Sequence, residues 1–134
     1  SVEMKDIVLS SLLCKKNPSS KNRLINPTYD LSLAVDMTVE FELKEQTSNK
    51  FVALANFDII VIDAKNEEEE EFNLSFIYEI LYTYDLKTLE EEILEKFLQI
   101  NVPINIWPYA RELVSSMTTR MGYNPLIIET YKTV

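Results

Sequence analysis

Few side chains in this 134-residue sequence are suited to catalysis. It contains no histidine, so the commonest general base is absent and no histidine-based metal site can form. Its single glycine excludes both a glycine-rich phosphate-binding loop and a dinucleotide-binding fingerprint. Carboxylates and lysines remain, but no pair of them stands out by its spacing. A small enzyme that uses two carboxylates is therefore kept only as an alternative, and no cofactor or metal is expected.

Charge and cysteine content restrict the partners and the compartment. The 22 acidic and 13 basic residues give a net charge of -9, which repels a nucleic-acid backbone. The densest basic stretch, between Lys15 and Arg23, has no aromatic residues interleaved, so nucleic acid is not an expected partner. Cys14 is alone, which excludes an intrachain disulfide and favours a reducing, cytoplasmic location. No segment approaches the ~20 apolar residues that span a bilayer, so membrane insertion is not expected.

Alternating apolar residues predict the strands of a single domain, residues 1–134. The sequence LSLAVDMTVEFEL, residues 31–43, has period two and predicts a strand with one buried face. FVALANFDIIVID, residues 51–63, is apolar on both parities near its end, which indicates a more central strand. FNLSFIYEILYTYD, residues 72–85, predicts another strand, and IVLSSLLCK near the N-terminus predicts the first. Short polar links between them indicate an antiparallel meander.

The second half of the chain changes to helical spacing. Thr88 and Glu91 fit a capping box, which predicts a short amphipathic helix from Thr88 to Ile100. Pro108 suits the first turn of a longer helix, and Gly122 is placed to end it in a left-handed cap. The predicted fold class is thus α+β: a four-stranded antiparallel β-meander with one long and one short helix packed on one side.

The start of the longer helix carries a recognisable motif. Residues 105–112 read NIWPYARE and are followed by Ser116, Met117, Arg120 and Pro125. This stretch resembles the signature helix of the SecB export chaperones, which reads close to P-N-I-L-F-P-Y-A-R-E. The core Pro-Tyr-Ala-Arg-Glu is specific, whereas the upstream strands match that family in layout more than in residues.

The resemblance implies a long helix on a four-stranded sheet, assembled as a dimer of dimers. It also implies a holdase that binds unfolded client polypeptides in apolar grooves without ATP and delivers them to a SecA-like motor. Candidate client-binding residues lie on or beside the signature helix and the aromatic strand: Phe76, Tyr78, Phe97, Leu98, Trp107 and Tyr109. The order Ile77-Tyr78-Glu79-Ile80 matches a family stretch, so Glu79 is expected to be an exposed partner-docking acid, flanked by Ile77.

Two departures from the family keep alternatives open. The given sequence stops at Val134 without the family's C-terminal lid helix, so the lid is either lost or trimmed from this sequence. Tyrosine- and glutamate-rich residues replace a glycine-containing region before the signature helix. This second departure favours a divergent member. A dedicated chaperone of an antitoxin in a toxin-antitoxin system, or another single-partner binding module, is therefore the main alternative to an export chaperone.

Overall fold

A computed structural model describes residues 2–18, 24–25, 32–65, 69–85 and 89–131. Four strands, β1 (Val2–Lys16), β2 (Leu33–Gln46), β3 (Lys50–Asp63) and β4 (Glu70–Tyr84), form one antiparallel sheet. A single helix, α1 (Glu91–Arg120), packs on one face of that sheet. The predicted α+β fold class is therefore confirmed.

The order of strands differs from a simple meander. The spatial order is β1-β4-β3-β2, so β2, β3 and β4 form the meander while β1 pairs with β4 rather than with β2. This order places the two most apolar strands in the middle of the sheet. β2 carries Asp36, Glu40 and Glu42 on the side away from the helix, and such charges are tolerated best at a sheet edge.

Two irregularities in β1 keep most of its apolar residues on the helix side. Register shifts occur between Met4 and Asp6 and between Leu9 and Ser11, and each adds one residue to the strand. A one-residue shift moves all later side chains to the opposite face. The shifts thereby place Val2, Met4, Ile7, Leu9, Leu12 and Cys14 opposite the inward-facing residues of β4.

The helical region is one helix, not two. Neither a separate short helix from Thr88 to Ile100 nor a helix start at Pro108 is present, because α1 runs through both Pro103 and Pro108. Each internal proline removes a backbone hydrogen bond and costs about 3 kcal/mol. Burial of Val102 and Ile106 offsets that cost, since a fully buried aliphatic side chain stabilises by about 1.5–3 kcal/mol. The proposed capping residue Thr88 lies outside the described residues.

The end of α1 agrees with the sequence prediction. The helix ends at Arg120, and Gly122 adopts φ +92°, the left-handed conformation that glycine reaches at low cost. The amides of Gly122 and Tyr123 donate to the carbonyls of Thr119 (3.0 Å) and Thr118 (3.1 Å). The chain thus turns back at a defined residue.

The core lies between α1 and the two central strands. Alternate residues of β3 and β4 are buried, among them Phe57 and Phe76, whose rings stack with centroids 4.7 Å apart. Early in α1, Phe97 contacts Phe51 and Tyr82, whereas Met121, just past its end, contacts Cys14 on β1. The helix therefore crosses the sheet diagonally. Among the described helical residues, no stretch is both long enough and apolar enough to span a bilayer.

Candidate functional site

The helix is narrower than the sheet that it covers. A helix with side chains is about 10–12 Å wide, whereas four strands spaced about 4.8 Å apart form a wider surface. The inner faces of β3 and β4 are consequently buried, while those of β1 and β2 remain partly exposed. We call these two surfaces the β1 strip and the β2 strip. The β1 strip comprises Met4, Ile7, Leu9 and Leu12, and the β2 strip comprises Val35, Met37, Val39, Phe41 and Leu43.

The β2 strip borders a cavity of about 470 Å³. Val35 and Met37 line it on one side, Trp107 of α1 lines it on another, and the returning C-terminal residues 126–131 complete it. Apart from Glu129 and Thr130, the side chains that line it are apolar or aromatic. A volume of this size lies within the range of ligand pockets and accommodates large apolar side chains.

Trp107 connects the helix to the C-terminal segment. Its indole Nε1 donates a hydrogen bond to the backbone carbonyl of Glu129 (2.5 Å), and its ring lies 5.1 Å from that of Tyr131. The amide of Leu126 donates to the hydroxyl Oγ1 of Thr118 (2.9 Å). These contacts hold residues 126–131 beside the helix, so the cavity wall is a segment attached at a few points rather than part of the sheet.

The six candidate client-binding residues do not form one groove. Phe76 and Leu98 have 1% and 3% of their surface exposed, and Tyr78 is also buried, so these three belong to the core. Phe97 packs on Phe51 and Tyr82 near the start of α1. Only Trp107 lines the cavity, because Tyr109, two residues later and about 200° around the helix, points towards β4 instead.

Tyr109 marks the apolar surface on the side of β1. The residue is 41% exposed, and its ring lies 6.4 Å from that of Tyr78. The hydroxyl of Tyr78 donates to the backbone carbonyl of Tyr109 at 3.4 Å. Burial raises the pKa of Tyr78, and the charge of Glu112 adds to this shift. Across the described residues, the outer side of α1 also exposes apolar side chains: Ile93, Ile100 and Ile104.

The sheet face opposite the helix, which we call the open face, holds the two candidate docking residues. Ile77 and Glu79 of β4 both point there, because their neighbours Phe76, Tyr78 and Ile80 point to the core. Glu79 is less exposed than the sequence suggested: its side chain is 22% exposed and forms an ion pair with Lys44 of β2. No motif or spacing in the sequence points to Lys44.

Comparison with known proteins identifies the family. Residues 11–132 match the family model of SecB, the preprotein translocase subunit. The chain belongs to the SecB family. Membership of that family supports a chaperone function for this chain.

Relatives and solved structures agree with the assignment to the SecB family. The protein-export protein SecB of Rickettsia africae (strain ESF-5) is 29% identical over 121 residues, covering 87% of this chain and 73% of the relative. SecB of Rickettsia typhi is 28% identical over a region of the same length. A SecB-like chaperone, Rv1957 of Mycobacterium tuberculosis, solved with a peptide of the antitoxin HigA1, superposes with a TM-score of 0.78. The superposition covers 99% of this chain and 92% of that one at 19% identity, which shows the shared fold. A protein of unknown function from Streptococcus agalactiae has a TM-score of 0.55 at 11% identity.

The cavity was only partly visible in the sequence. The alternation of β2 indicated that Val35 and Met37 face inward, but it could not indicate that the helix leaves them uncovered. The sequence of residues 126–131 does not indicate what they contact. Within the described parts of the chain, no group of three or more potential metal-ligating residues exists.

Proposed function

We propose that the chain is an ATP-independent chaperone that holds unfolded or aggregation-prone polypeptides on the apolar surface around its cavity. The observation that carries this proposal is the cavity between the β2 strip, Trp107 and residues 126–131. Partly exposed apolar surface of this kind favours binding of an extended apolar segment, because binding removes both surfaces from water. Such binding needs neither a catalytic step nor a nucleotide. Of the residues suggested by sequence, Trp107 is the one that we retain as a client contact.

We also propose that the chain functions as a homo-oligomer, in line with the dimer of dimers implied by the family resemblance. The β1 strip, the unpaired edge of β1 and the outer isoleucines of α1 leave apolar surface that a second copy would cover. A buried nitrogen supports this idea: Nε of Arg111 has no hydrogen-bond partner within the described residues. An acceptor from another subunit would satisfy it, as expected for a buried polar group.

Glu79 and Ile77 are proposed to form part of a surface that docks a partner protein such as a SecA-like motor. Support comes from the sequence match around Ile77-Tyr78-Glu79-Ile80 and from their common position on the open face. This surface lies on the opposite side of the sheet from the cavity. Client holding and partner docking can therefore be tested with separate substitutions.

A matched pair of substitutions tests the client site. Val35 in the β2 strip and Ile60 on the open face are 43% and 42% exposed, both are β-branched, and they lie on neighbouring strands. We expect Val35→Glu to abolish suppression of aggregation of chemically unfolded proteins, measured by light scattering without ATP. Ile60→Glu should leave suppression unchanged. Urea unfolding of both variants separates loss of binding from loss of folding.

The chain's single tryptophan provides a direct readout of client binding. Trp107 should change its fluorescence when a tryptophan-free apolar peptide enters the cavity, because its environment includes the cavity. If Val35→Glu and Ile60→Glu suppress aggregation equally, and the peptide leaves Trp107 fluorescence unchanged, the cavity is not the client site.

A dedicated antitoxin chaperone is the second candidate function. It is favoured by the likeness in fold to the SecB-like chaperone solved with an antitoxin peptide. A panel of unrelated unfolded proteins distinguishes the two functions. A general export chaperone should protect several of them at stoichiometric ratio, whereas a dedicated chaperone should protect few and should bind one partner peptide much more tightly.

A further inference from the structure

The open face combines apolar and acidic side chains. Val52, Leu54, Ile77 and Leu81 line its centre, and the register places acidic residues from all four strands on the same side: Glu3, Asp6, Asp36, Glu40, Glu42, Glu45, Asp58 and Glu79. The register and ion pairs place four lysines here, against eight acidic residues: Lys5, Lys15, Lys44 and Lys50. No described element of the chain covers this face. Charge complementarity therefore selects a partner with cationic side chains.

Lys44 reaches the centre of this face because of an irregularity in β2. The register with β3 shifts between Leu43 and Glu45, so Lys44 is the extra residue. Its Nζ pairs with Oε1 of Glu79, a residue on β4, although β3 lies between the two strands. The register shift thus allows an edge strand to neutralise an acid near the middle of the sheet.

Glu79 also borders a shallow cavity of about 170 Å³. It is also lined by Ile7, Val8, Val52 and Leu81 and by a second carboxylate, that of Asp6. An alkyl chain that ends in a cation fits such a surface: the chain packs on the apolar walls while the charged end meets the carboxylates. The ion pair between the Lys44 amine and Glu79 shows that this carboxylate accepts a cationic side chain.

We propose that Lys44 is a specificity-determining residue, which competes within the chain for the carboxylate that a partner's cation must bind. The occupant that we infer is a partner segment in which lysine or arginine alternates with apolar residues. This inference rests on the proposed docking role of Glu79 and adds the control of that site by Lys44.

The competition determines what kind of segment binds. A docking cation replaces one ion pair at Glu79 with another, so charge alone contributes little to the net affinity. Apolar contacts with Val8, Val52 and Leu81 then decide whether docking is favourable. A purely polycationic segment should bind more weakly than one with apolar residues beside each cation.

Fluorescence anisotropy with a labelled peptide of alternating lysine and leucine tests the proposal on the full chain. Lys44→Met frees Glu79, and we expect it to tighten binding about two- to fivefold, the range that corresponds to a surface ion pair. Lys15→Met is the matched control, because it removes one positive charge from the same face without contacting Glu79. It should change the affinity less. An alternating lysine-serine peptide should bind more weakly than the lysine-leucine peptide.

A double-mutant cycle separates competition from a general charge effect. In a Glu79→Gln background, Lys44→Met should no longer tighten binding beyond the effect of Lys15→Met. The proposal is overturned if Lys44→Met and Lys15→Met have equal effects, or if the effect of Lys44→Met persists in Glu79→Gln. Aggregation suppression is measured in parallel on the same variants. If the chain does not suppress aggregation but the double-mutant cycle gives the expected result, the proposed holdase function is disproved, whereas the role of Lys44 is supported.

Discussion

At the scale of single residues, Trp107 combines a structural and a functional position. It packs on Phe57 of β3, with ring centroids 5.6 Å apart, and its indole nitrogen holds the C-terminal segment through Glu129. The remaining edge of the ring lines the cavity. A single side chain therefore joins the core, the segment that returns along the helix and the proposed client site. This arrangement explains why the residue is largely buried and yet suited to report on binding.

Cys14 illustrates how burial controls reactivity. Its thiol lies 3.2 Å from the sulfur of Met121, and burial raises its pKa. Because the thiolate is the reactive form, we expect the native chain to react with a disulfide reagent more slowly than the urea-unfolded chain at pH 8. The rate profile against pH should have its midpoint at higher pH in the native chain. Equal midpoints would show that the native environment does not disfavour the thiolate.

At the scale of elements, α1 remains continuous in spite of two internal prolines. Pro103 is buried against the core, whereas Pro108 is exposed. Pro103 leaves the backbone carbonyl of Gln99 without its usual helical donor, and Pro108 does the same to the carbonyl of Ile104. Packing of the buried side of the helix, which continues from Leu94 to Val114, maintains the element across both sites. Tertiary contacts thereby override a strong local preference.

The two prolines should respond differently to replacement. Pro108→Ala restores a backbone donor and removes no buried surface, so we expect it to stabilise the chain by about 1–3 kcal/mol. Pro103→Ala also restores a donor, but it removes packed atoms from the core and should give a smaller gain or a loss. Urea unfolding of the two variants measures the difference. A destabilised Pro108→Ala variant would mean that the proline itself contributes more to stability than the restored backbone donor.

At the scale of the whole molecule, one helix does not cover four strands. The C-terminal segment covers part of the β2 strip and creates a cavity, while the β1 strip has no comparable cover among the described residues. Contiguous apolar surface on this scale is typical of sites that another protein covers. The two sides of the helix are thus expected to serve different purposes, with clients at β2 and a second copy at β1.

The role of the β1 strip can be tested by assembly. Leu9 lies in the strip and Leu13 lies on the opposite face of the same strand. We expect Leu9→Lys to lower the mass measured by multi-angle light scattering, because a charge is buried when a second copy covers the strip. Leu13→Lys should keep the mass of the wild-type chain. A wild-type chain that is monomeric at micromolar concentration, or a loss of mass in Leu13→Lys alone, would contradict this assignment.

The sequence by itself determined the local features of this chain. Alternation assigned the inward faces of β2, β3 and β4, and the single glycine located the end of the helix, because these patterns depend on neighbours within a few residues. The motif around Trp107 indicated the family, which the match over residues 11–132 confirmed. The absence of histidine and of a glycine-rich loop likewise followed from composition alone.

Only the tertiary structure decided which elements become neighbours. β1 pairs with β4, and Lys44 forms an ion pair with Glu79; both contacts join residues that are distant in sequence. The continuity of α1 through Pro108 depends on packing against distant residues. Periodicity shows which side of an element is buried, but it does not show what covers that side or how far the cover extends. For that physical reason, the sequence predicts Phe76 and Leu98 in a groove, whereas the helix buries both in the core. The surface around Val35 and Trp107 stays open, and it is there that we propose client binding.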